Sequence, residues 1–219
     1  MKVNLTHPQT ILGSALSGVA FSILINGFFL LGHFLAVAKI GTNILLSAAT
    51  FFAVWPLIFT FLAIPVLLIR AFWKSHHNKS VRQLMFCLVY LAIGIGCFVA
   101  GLQIRRAGFV SLAERSRPLI FAIHQFEAKY GKPPEKLEQI TPEFLAKVPG
   151  TGMGAYPEYD YLVIDDRNSY EGNAWVVTVS ASPGVMNWDQ FMYFPKQNYP
   201  QSGYGGRIER IEEWAYVHE

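Results

Sequence analysis

The stretch Leu84–Gly131, LMFCLVYLAIGIGCFVAGLQIRRAGFVSLAERSRPLIFAIHQFEAKYG, decides how this chain is built. Up to about residue 104 it is uncharged and apolar, and about 20 such residues at 1.5 Å each cross the roughly 30 Å hydrocarbon core of a bilayer as a helix. No turn signal follows. The chain continues through Arg105, Arg106 and Gly108 into a second pattern, in which Leu112, Ser116, Leu119, Ile120, Ile123, Phe126, Ala128 and Tyr130 recur with a period near 3.6. Glu114, Arg115, Arg117, Glu127 and Lys129 occupy the remaining surface. The reading is a span that runs on into an amphipathic helix and ends at Gly131, with Pro133 and Pro134 just beyond.

Two further apolar runs precede it. The sequence therefore predicts three transmembrane helices, at about 10–38, 44–69 and 84–104, forming a membrane domain over 1–104 ahead of a second domain over 105–219. Pro56 and Pro65 mark the expected kinks of the second span. Charge divides the chain in the same way. Of 18 basic residues six lie in the first 104 positions, whereas all 15 acidic residues lie at or after Glu114, so the halves carry +6 and −3. The sequence pI near 8.8 therefore describes neither half and is no argument for nucleic-acid binding, so no nucleic-acid partner is expected. Lys2 and the Ala36–Ala38 segment resemble a signal peptide, but the run is about twice the usual 7–15 residues, so it reads as an uncleaved span.

Arg70, Lys74, Lys79 and Arg82 surround the connection between the second and third spans. The positive-inside rule places that connection in the cytoplasm, with the N-terminus, and everything after residue 104 outside, although Arg105 and Arg106 oppose this weakly. His76 and His77 read as part of the same basic anchor. Within the spans, Asn26 and His33 are seven apart and share one helix face, where interhelical hydrogen bonding is the expected role and an ion or proton route the alternative. Ala92, Gly96, Ala100 and Gly101 form a small-residue stripe for packing against the other spans, with homo-oligomer formation as the alternative use. Cys87 and Cys97, about 15 Å apart along one helix, cannot pair with each other.

Beyond Gly131 the period changes. A short helix is expected over 134–140 and a further turn from Thr141 and Pro142. Strands are expected at 159–164, 174–180, 191–194 and 213–217, the last two separated by a loop bearing Pro200, Gly203, Gly205 and Gly206. One helix on a small antiparallel sheet makes the fold class α+β. The aromatic residues concentrate here, with nine of ten tyrosines. They are expected to build the small domain's core and brace its long loop; Tyr193, Tyr199, Tyr204 and Trp188 are the candidates for a recognition surface, since Tyr and Trp are favoured at interfaces.

The run Leu119, Phe126, Tyr130, Gly131, Pro134, Leu137, Ile140, Pro142, Leu145, Val148, Pro149, Gly154 and Tyr161 resembles the globular region of type II secretion pseudopilins and related pilin-like proteins. The resemblance covers about residues 84–165. It implies an apolar helix that continues into an amphipathic one, a G-x-x-P-x-x-L segment, and a small antiparallel sheet. The chain departs from that family in having two extra spans, no leader cleavage sequence and no acidic residue in the third span. What the resemblance implies is thus a permanently anchored pilin-like domain rather than a polymerising subunit. Some pseudopilins hold calcium in a sheet loop, which makes Asp165, Asp166, Asn168 and Glu171 weak calcium candidates, although the EF-hand spacing is absent. His124 reads as a packing histidine, and Gly150–Gly154 as a turn rather than a phosphate loop.

No nucleophile motif, zinc motif or cofactor fingerprint occurs, so no catalytic residue and no cofactor is assigned. The expectation is a non-enzymatic, multi-pass protein of the bacterial inner membrane. Its partners would be the lipid bilayer and a protein outside the cytoplasm, met by the external domain at a secretion or envelope assembly. An immunity protein against a membrane-active or periplasmic toxin is the alternative, and a small transporter or channel using Asn26 and His33 a second one.

Overall fold

The computed structural model describes residues 8–73, 75–165, 169–184 and 187–219. Three long helices come first: α1 (Pro8–Val37), α2 (Asn43–Ala71) and α3 (His77–Tyr130). All three are long and apolar enough to cross a membrane. Six strands follow: β1 (Asp160–Val163), β2 (Trp175–Ser180), β3 (Gln190–Tyr193), β4 (Ser202–Gly203), β5 (Gly206–Ile211) and β6 (Trp214–His218). The chain is α+β with a helical N-terminal part. It divides into two compact units, one holding the chain through Phe34 with Ala48–Gln103, the other Leu35–Ser47 with Ile104–Glu219.

In the first unit, glycines set where the helices touch. A Cβ on Gly18 of α1 would lie 3.0 Å from the Phe86 carbonyl of α3, and one on Gly101 of α3 would lie 2.7 Å from the Phe29 ring of α1. The order of these contacts makes α1 and α3 parallel neighbours. Gly94 of α3 meets Leu57 of α2 instead, with 2.4 Å to a leucine methyl from the same construction. Large apolar side chains such as Ile23, Leu24, Phe59 and Phe61 stay exposed, as lipid-facing positions require. Pro56 and Pro65 both lie inside an α2 that runs unbroken.

Of the small-residue stripe of α3, Gly101 packs against α1, whereas Ala92 and Gly96 are exposed, and a Cβ on Gly96 would meet nothing within 4 Å. Ala100 is half-buried. Each residue turns a helix by about 100°, so Gly94 and Gly101, seven apart, face the neighbours while the Ala92–Gly96 line falls on the far side.

In the second unit, the C-terminal half of α3 covers one face of a fully antiparallel sheet ordered β1-β2-β3-β6-β5-β4. The helix ends as the sequence predicts. Gly131, at φ 71°, donates its N–H to the Glu127 carbonyl at 2.8 Å. Alternation sorts each strand: Trp175, Val177 and Val179 of β2, Phe191 and Tyr193 of β3, and Trp214 and Tyr216 of β6 point to the helix side with Phe109, Leu112, Leu119 and Ile123. Phe191 lies flat on Trp214, ring centroids 4.8 Å apart. Val176, Met192, Phe194 and Val217 point the other way, into a smaller cluster with Tyr170, Tyr199 and Tyr204.

Four strands fall within one residue of their expected ranges, but β4 and β5 occupy what was expected as loop. The glycines there build a hairpin. Tyr204 and Gly205, with φ of 54° and 91°, form a two-residue turn between Gly203 and Gly206, the geometry that a right-twisted hairpin needs. The expected helix over 134–140 is a single 3-10 turn, Leu137–Ile140. The further turn expected from Thr141 and Pro142 is present over 141–144, closed by the Phe144 N–H on the Ile140 carbonyl at 2.9 Å, while the Thr141 hydroxyl donates back to the Glu138 carbonyl at 2.8 Å.

The segment Leu35–Ser47, which the sequence reads as the ends of two spans and the short turn between them, is part of this second unit. The N–H groups of Gly154 and Ala155 donate to the carbonyls of Ala38 (2.7 Å) and Ala36 (3.2 Å), and Ala36 and Leu46 join the core. Gly154 has no room for a side chain, because a Cβ would sit 2.3 Å from the Gly41 carbonyl oxygen and 2.5 Å from its nitrogen. Gly154→Ala must move backbone to fit, and such overpacking costs about 1–3 kcal/mol. A lower melting temperature is expected for this variant and an unchanged one for Gly184→Ala, whose Cβ would meet nothing within 4 Å; circular dichroism of the purified full chain checks both.

Candidate functional site

Arg105, placed by α3 among aromatic side chains, is the one charged residue of the helix that is almost fully buried, at 7% exposure. A guanidinium stays charged at any ordinary pH, so burial requires that its donors be met. Nη1 donates to the Tyr156 hydroxyl, and Nε (3.1 Å) and Nη2 (2.5 Å) donate to the Tyr216 hydroxyl. The cation also lies 5.3–5.6 Å from the ring centroids of Phe109, Tyr156 and Tyr216.

The two tyrosines carry the interaction onward. Tyr216 donates its proton to Asp189 Oδ2 at 2.6 Å, and Tyr156 donates to the Ser182 carbonyl at 3.0 Å. Burial pushes both hydroxyls up in pKa, while Arg105 pulls the other way without cancelling it, so both remain protonated donors. The second carboxylate oxygen of Asp189 accepts the Glu219 N–H at 3.0 Å, and the Asp189 carbonyl accepts the Ala181 N–H at 2.7 Å. The described ends of the β2–β3 connection, Ala181–Gly184 and Asn187–Asp189, are thus fastened to a cation on α3 through two phenols and a carboxylate.

That connection presents the candidate site. Trp188 is 66% exposed although its neighbour Asp189 is buried. Beside it opens a cleft of about 240 Å³ lined by Asp160, Thr178, Ser180, Ser182, Asn187, Trp188 and Gln190. Register explains the grouping: Asp160 pairs with Thr178, and Ser180 with Gln190, so all four stand on the sheet face away from α3. The side chains of Asp160, Thr178, Ser180 and Gln190 make no hydrogen bond among the described residues, whereas Asn187 is occupied by the Asp189 N–H (2.9 Å) and the Glu219 carbonyl (3.3 Å). Leu162, two residues from Asp160 on the same face of β1, is also exposed. The cleft offers hydroxyls, an amide, one carboxylate and an indole. Among the described residues no His, Cys or Lys lines it. Its volume suits one inserted side chain or sugar ring, below the roughly 300 Å³ at which ordinary ligand pockets begin.

The sequence-derived candidates separate on this background. Tyr193 is in the core at 4% exposure, stacked on Trp175 and against Trp214, because strand parity turns it to the helix side. Tyr199 is half-buried on Phe194, accepting the Phe194 N–H at 2.8 Å and donating to the Glu213 carbonyl at 2.8 Å. Tyr204 stacks on Tyr170 at 5.5 Å. Those three tyrosines therefore brace the sheet and its loop, and Trp188 alone of the four presents its ring outward.

Of the calcium candidates, Asp165 and Glu171 are exposed, and Asp166 and Asn168 lie outside the described residues. Among the described residues no group of three or more His, Cys, Asp or Glu is placed to hold a metal. Asn26 and His33 are both buried in the first unit; His33 Nδ1 lies 3.2 Å from the Phe29 carbonyl, and Asn26 Nδ2 has no partner among the described residues. His124 packs edge-on against Trp175 at 5.2 Å. Cys87 and Cys97 are free thiols. Arg105 and Asp189 were not singled out in the sequence, where the one signal was an arginine immediately after an apolar span.

Comparison with known proteins gives no match to a family model, to a curated protein or to a solved structure.

Tyr216→Phe removes the bridge and leaves an Asp189 oxygen and two Arg105 donors unmet, which costs about 1–3 kcal/mol. The expected result is a lower melting temperature together with a changed Trp188 environment, read as a shift in tryptophan emission and faster proteolysis near residue 188. Alkaline pH tests the buried phenols together. Burial raises the Tyr159 hydroxyl to about 12; burial and the Glu171 carboxylate do the same for Tyr204, and burial pushes Tyr161 and Tyr199 up as well. In the unfolded chain tyrosines ionise near 10. Their folded pKa values are thus raised, so the contribution to stability is complete below pH 10 and is lost as pH climbs from about 10 through 12. Most tyrosinate absorbance is expected to appear together with loss of near-UV dichroism; ionisation at pH 10 with intact dichroism would contradict the burial.

Proposed function

We propose that this chain is a non-enzymatic multi-pass protein of the bacterial inner membrane whose C-terminal domain binds another protein outside the cytoplasm, through the sheet face that carries Trp188. The observation that carries the reading is an exposed indole on a connection whose adjoining carboxylate is locked in the core. An aromatic anchor held on a rigid support loses little entropy on binding, and Trp is the residue most enriched among hot spots. Leu162 and the unpaired polar groups of the cleft supply the mixed apolar and polar surroundings usual at non-obligate interfaces. The basic residues at the α2–α3 connection support a cytoplasmic position for that connection and an external one for the domain. A long apolar helix whose second half lies on an antiparallel sheet supports a pilin-like relationship at the level of architecture, and with it a role beside a secretion or envelope assembly.

A photocrosslinking amino acid placed at position 188 of the full chain in cells is expected to give one defined adduct, identified by mass spectrometry. The same group at Glu138, exposed and away from the cleft, is expected to give none. Trp188→Ala should abolish co-purification of that partner while leaving the melting temperature within about 0.5 kcal/mol equivalent, as for surface substitutions generally. Equal adducts from both positions, or unaltered co-purification of the Trp188→Ala protein, would refute the assignment of this face.

A further inference from the structure

In the first unit a cleft of about 290 Å³ opens where α1 and the start of α3 lie side by side, lined by Ser14, Ser17, Lys79, Arg82, Gln83 and Phe86. Its depth follows from the charge spacing on α3. Residues 83–104 carry no charge, and as helix these residues cover about 33 Å, the thickness of a bilayer's hydrocarbon core. Arg82 therefore stands where acyl chains give way to headgroups, and Lys79 stands about one turn further out. Phe72 and Trp73, exposed in the connection just before α3, are residue types that collect at this level.

The two cations have nothing in their own unit to neutralise them. No acidic residue precedes Glu114, and among the described residues neither Lys79 nor Arg82 makes an ion pair. The occupant has to bring the negative charge. The serines define its other end. Ser14 Oγ donates to the Thr10 carbonyl at 3.1 Å and Ser17 Oγ to the Gly13 carbonyl at 2.9 Å, so their protons are spent and their oxygens remain as acceptors. Phe86, held between Phe21 (5.9 Å) and Tyr90 (6.4 Å), adds an apolar wall.

A phosphodiester that bears free hydroxyls and continues into hydrocarbon satisfies all three features. We propose that this cleft binds the headgroup of an anionic phospholipid of the phosphatidylglycerol type. Lys79 and Arg82 hold the phosphate, the Ser14 and Ser17 oxygens and the Gln83 amide receive the headgroup hydroxyls, and Phe86 lies along the first methylenes. The inference rests on reading the helices as membrane spans and not on the partner-binding role of Trp188, so either can fail alone.

The test uses the full chain in nanodiscs of phosphatidylcholine with a minor fraction of phosphatidylglycerol, extracted in mild detergent, with retained lipids counted by native mass spectrometry. Phosphatidylglycerol is expected to be retained well above its share of the disc. Enrichment should fall about tenfold in Lys79→Gln/Arg82→Gln, and also in Ser17→Leu, which fills the cleft and keeps its charge, while Arg70→Gln, outside the lining, should keep it. Undiminished enrichment in the double variant overturns the proposal, and so does an equal loss in Arg70→Gln, which would indicate general attraction to the basic connection. Inorganic phosphate that alone raises the melting temperature and displaces the lipid assigns the cleft to a soluble anion and also overturns it. If the double variant does not fold, the contrast between Ser17→Leu and Arg70→Gln decides.

Discussion

The second unit is organised around a charge that cannot leave. Arg105 follows the last apolar turns of α3 and is buried before the amphipathic stripe begins, at a position where an isolated cation would cost several kcal/mol. The surrounding chain satisfies it with two phenols from distant parts of the sequence, Tyr156 before the sheet and Tyr216 on β6. Tyr216 then needs an acceptor, and Asp189 supplies it. One buried guanidinium therefore fixes the relative positions of α3, the turn after Gly154, the central strand pair β3–β6 and the β2–β3 connection. Hydrophobic burial is non-directional and would tolerate several placements of that helix on the sheet; the hydrogen-bonded chain specifies one.

The same chain links fold to surface. Asp189 is buried and its neighbour Trp188 exposed, so the interaction that satisfies the carboxylate also anchors the residue beside the indole. The polar cleft beside it has a similar origin. The sheet face away from α3 is apolar where Met192, Phe194 and Val217 meet Tyr199 and Tyr204, and polar where β1 and the adjoining ends of β2 and β3 carry Asp160, Thr178, Ser180 and Gln190.

Much of this was legible in the sequence and some was not, for physical reasons. The three apolar helices, the end of α3 at Gly131 and the strands β1, β2, β3 and β6 follow from length, period and turn chemistry, which are local properties. The β4–β5 hairpin was missed because Gly-Arg-Ile-Glu-Arg-Ile carries charge on an edge strand, and its glycines read equally as a loop or as the tight turn they form. For Tyr193 the sequence leaves core and surface both open, because its neighbours Met192 and Phe194 alternate with it and which of the two sheet faces meets the helix is a tertiary fact. Arg105 looked like a minor topological signal, because nothing local shows that residues 51 and 111 positions later will supply hydroxyls.

The two units differ in how they treat buried polarity. In the second, Arg105, Asp189, Tyr156 and Tyr216 are all paired, and the Tyr159 hydroxyl is left without a partner among the described residues. In the first, Ser22, Asn26 Nδ2, Ser80 and Tyr90 are buried with no partner among the described residues. For helices that cross a bilayer, the unfolded-in-membrane chain offers such groups no better partner than the bundle does, so the penalty for leaving them unmet is smaller. Ser22 and Asn26 are one helical turn apart on α1, and Gly18, a turn earlier, is where α3 comes close at Phe86 and Val89. Tyr90 is the next residue of α3, its ring 5.3 Å from Phe21 of α1. Ser22, Asn26 and Tyr90 thus follow the same α1–α3 seam that the glycines close, and what holds the two parallel helices together there is the close packing at Gly18 and Gly101 rather than hydrogen bonds between these groups.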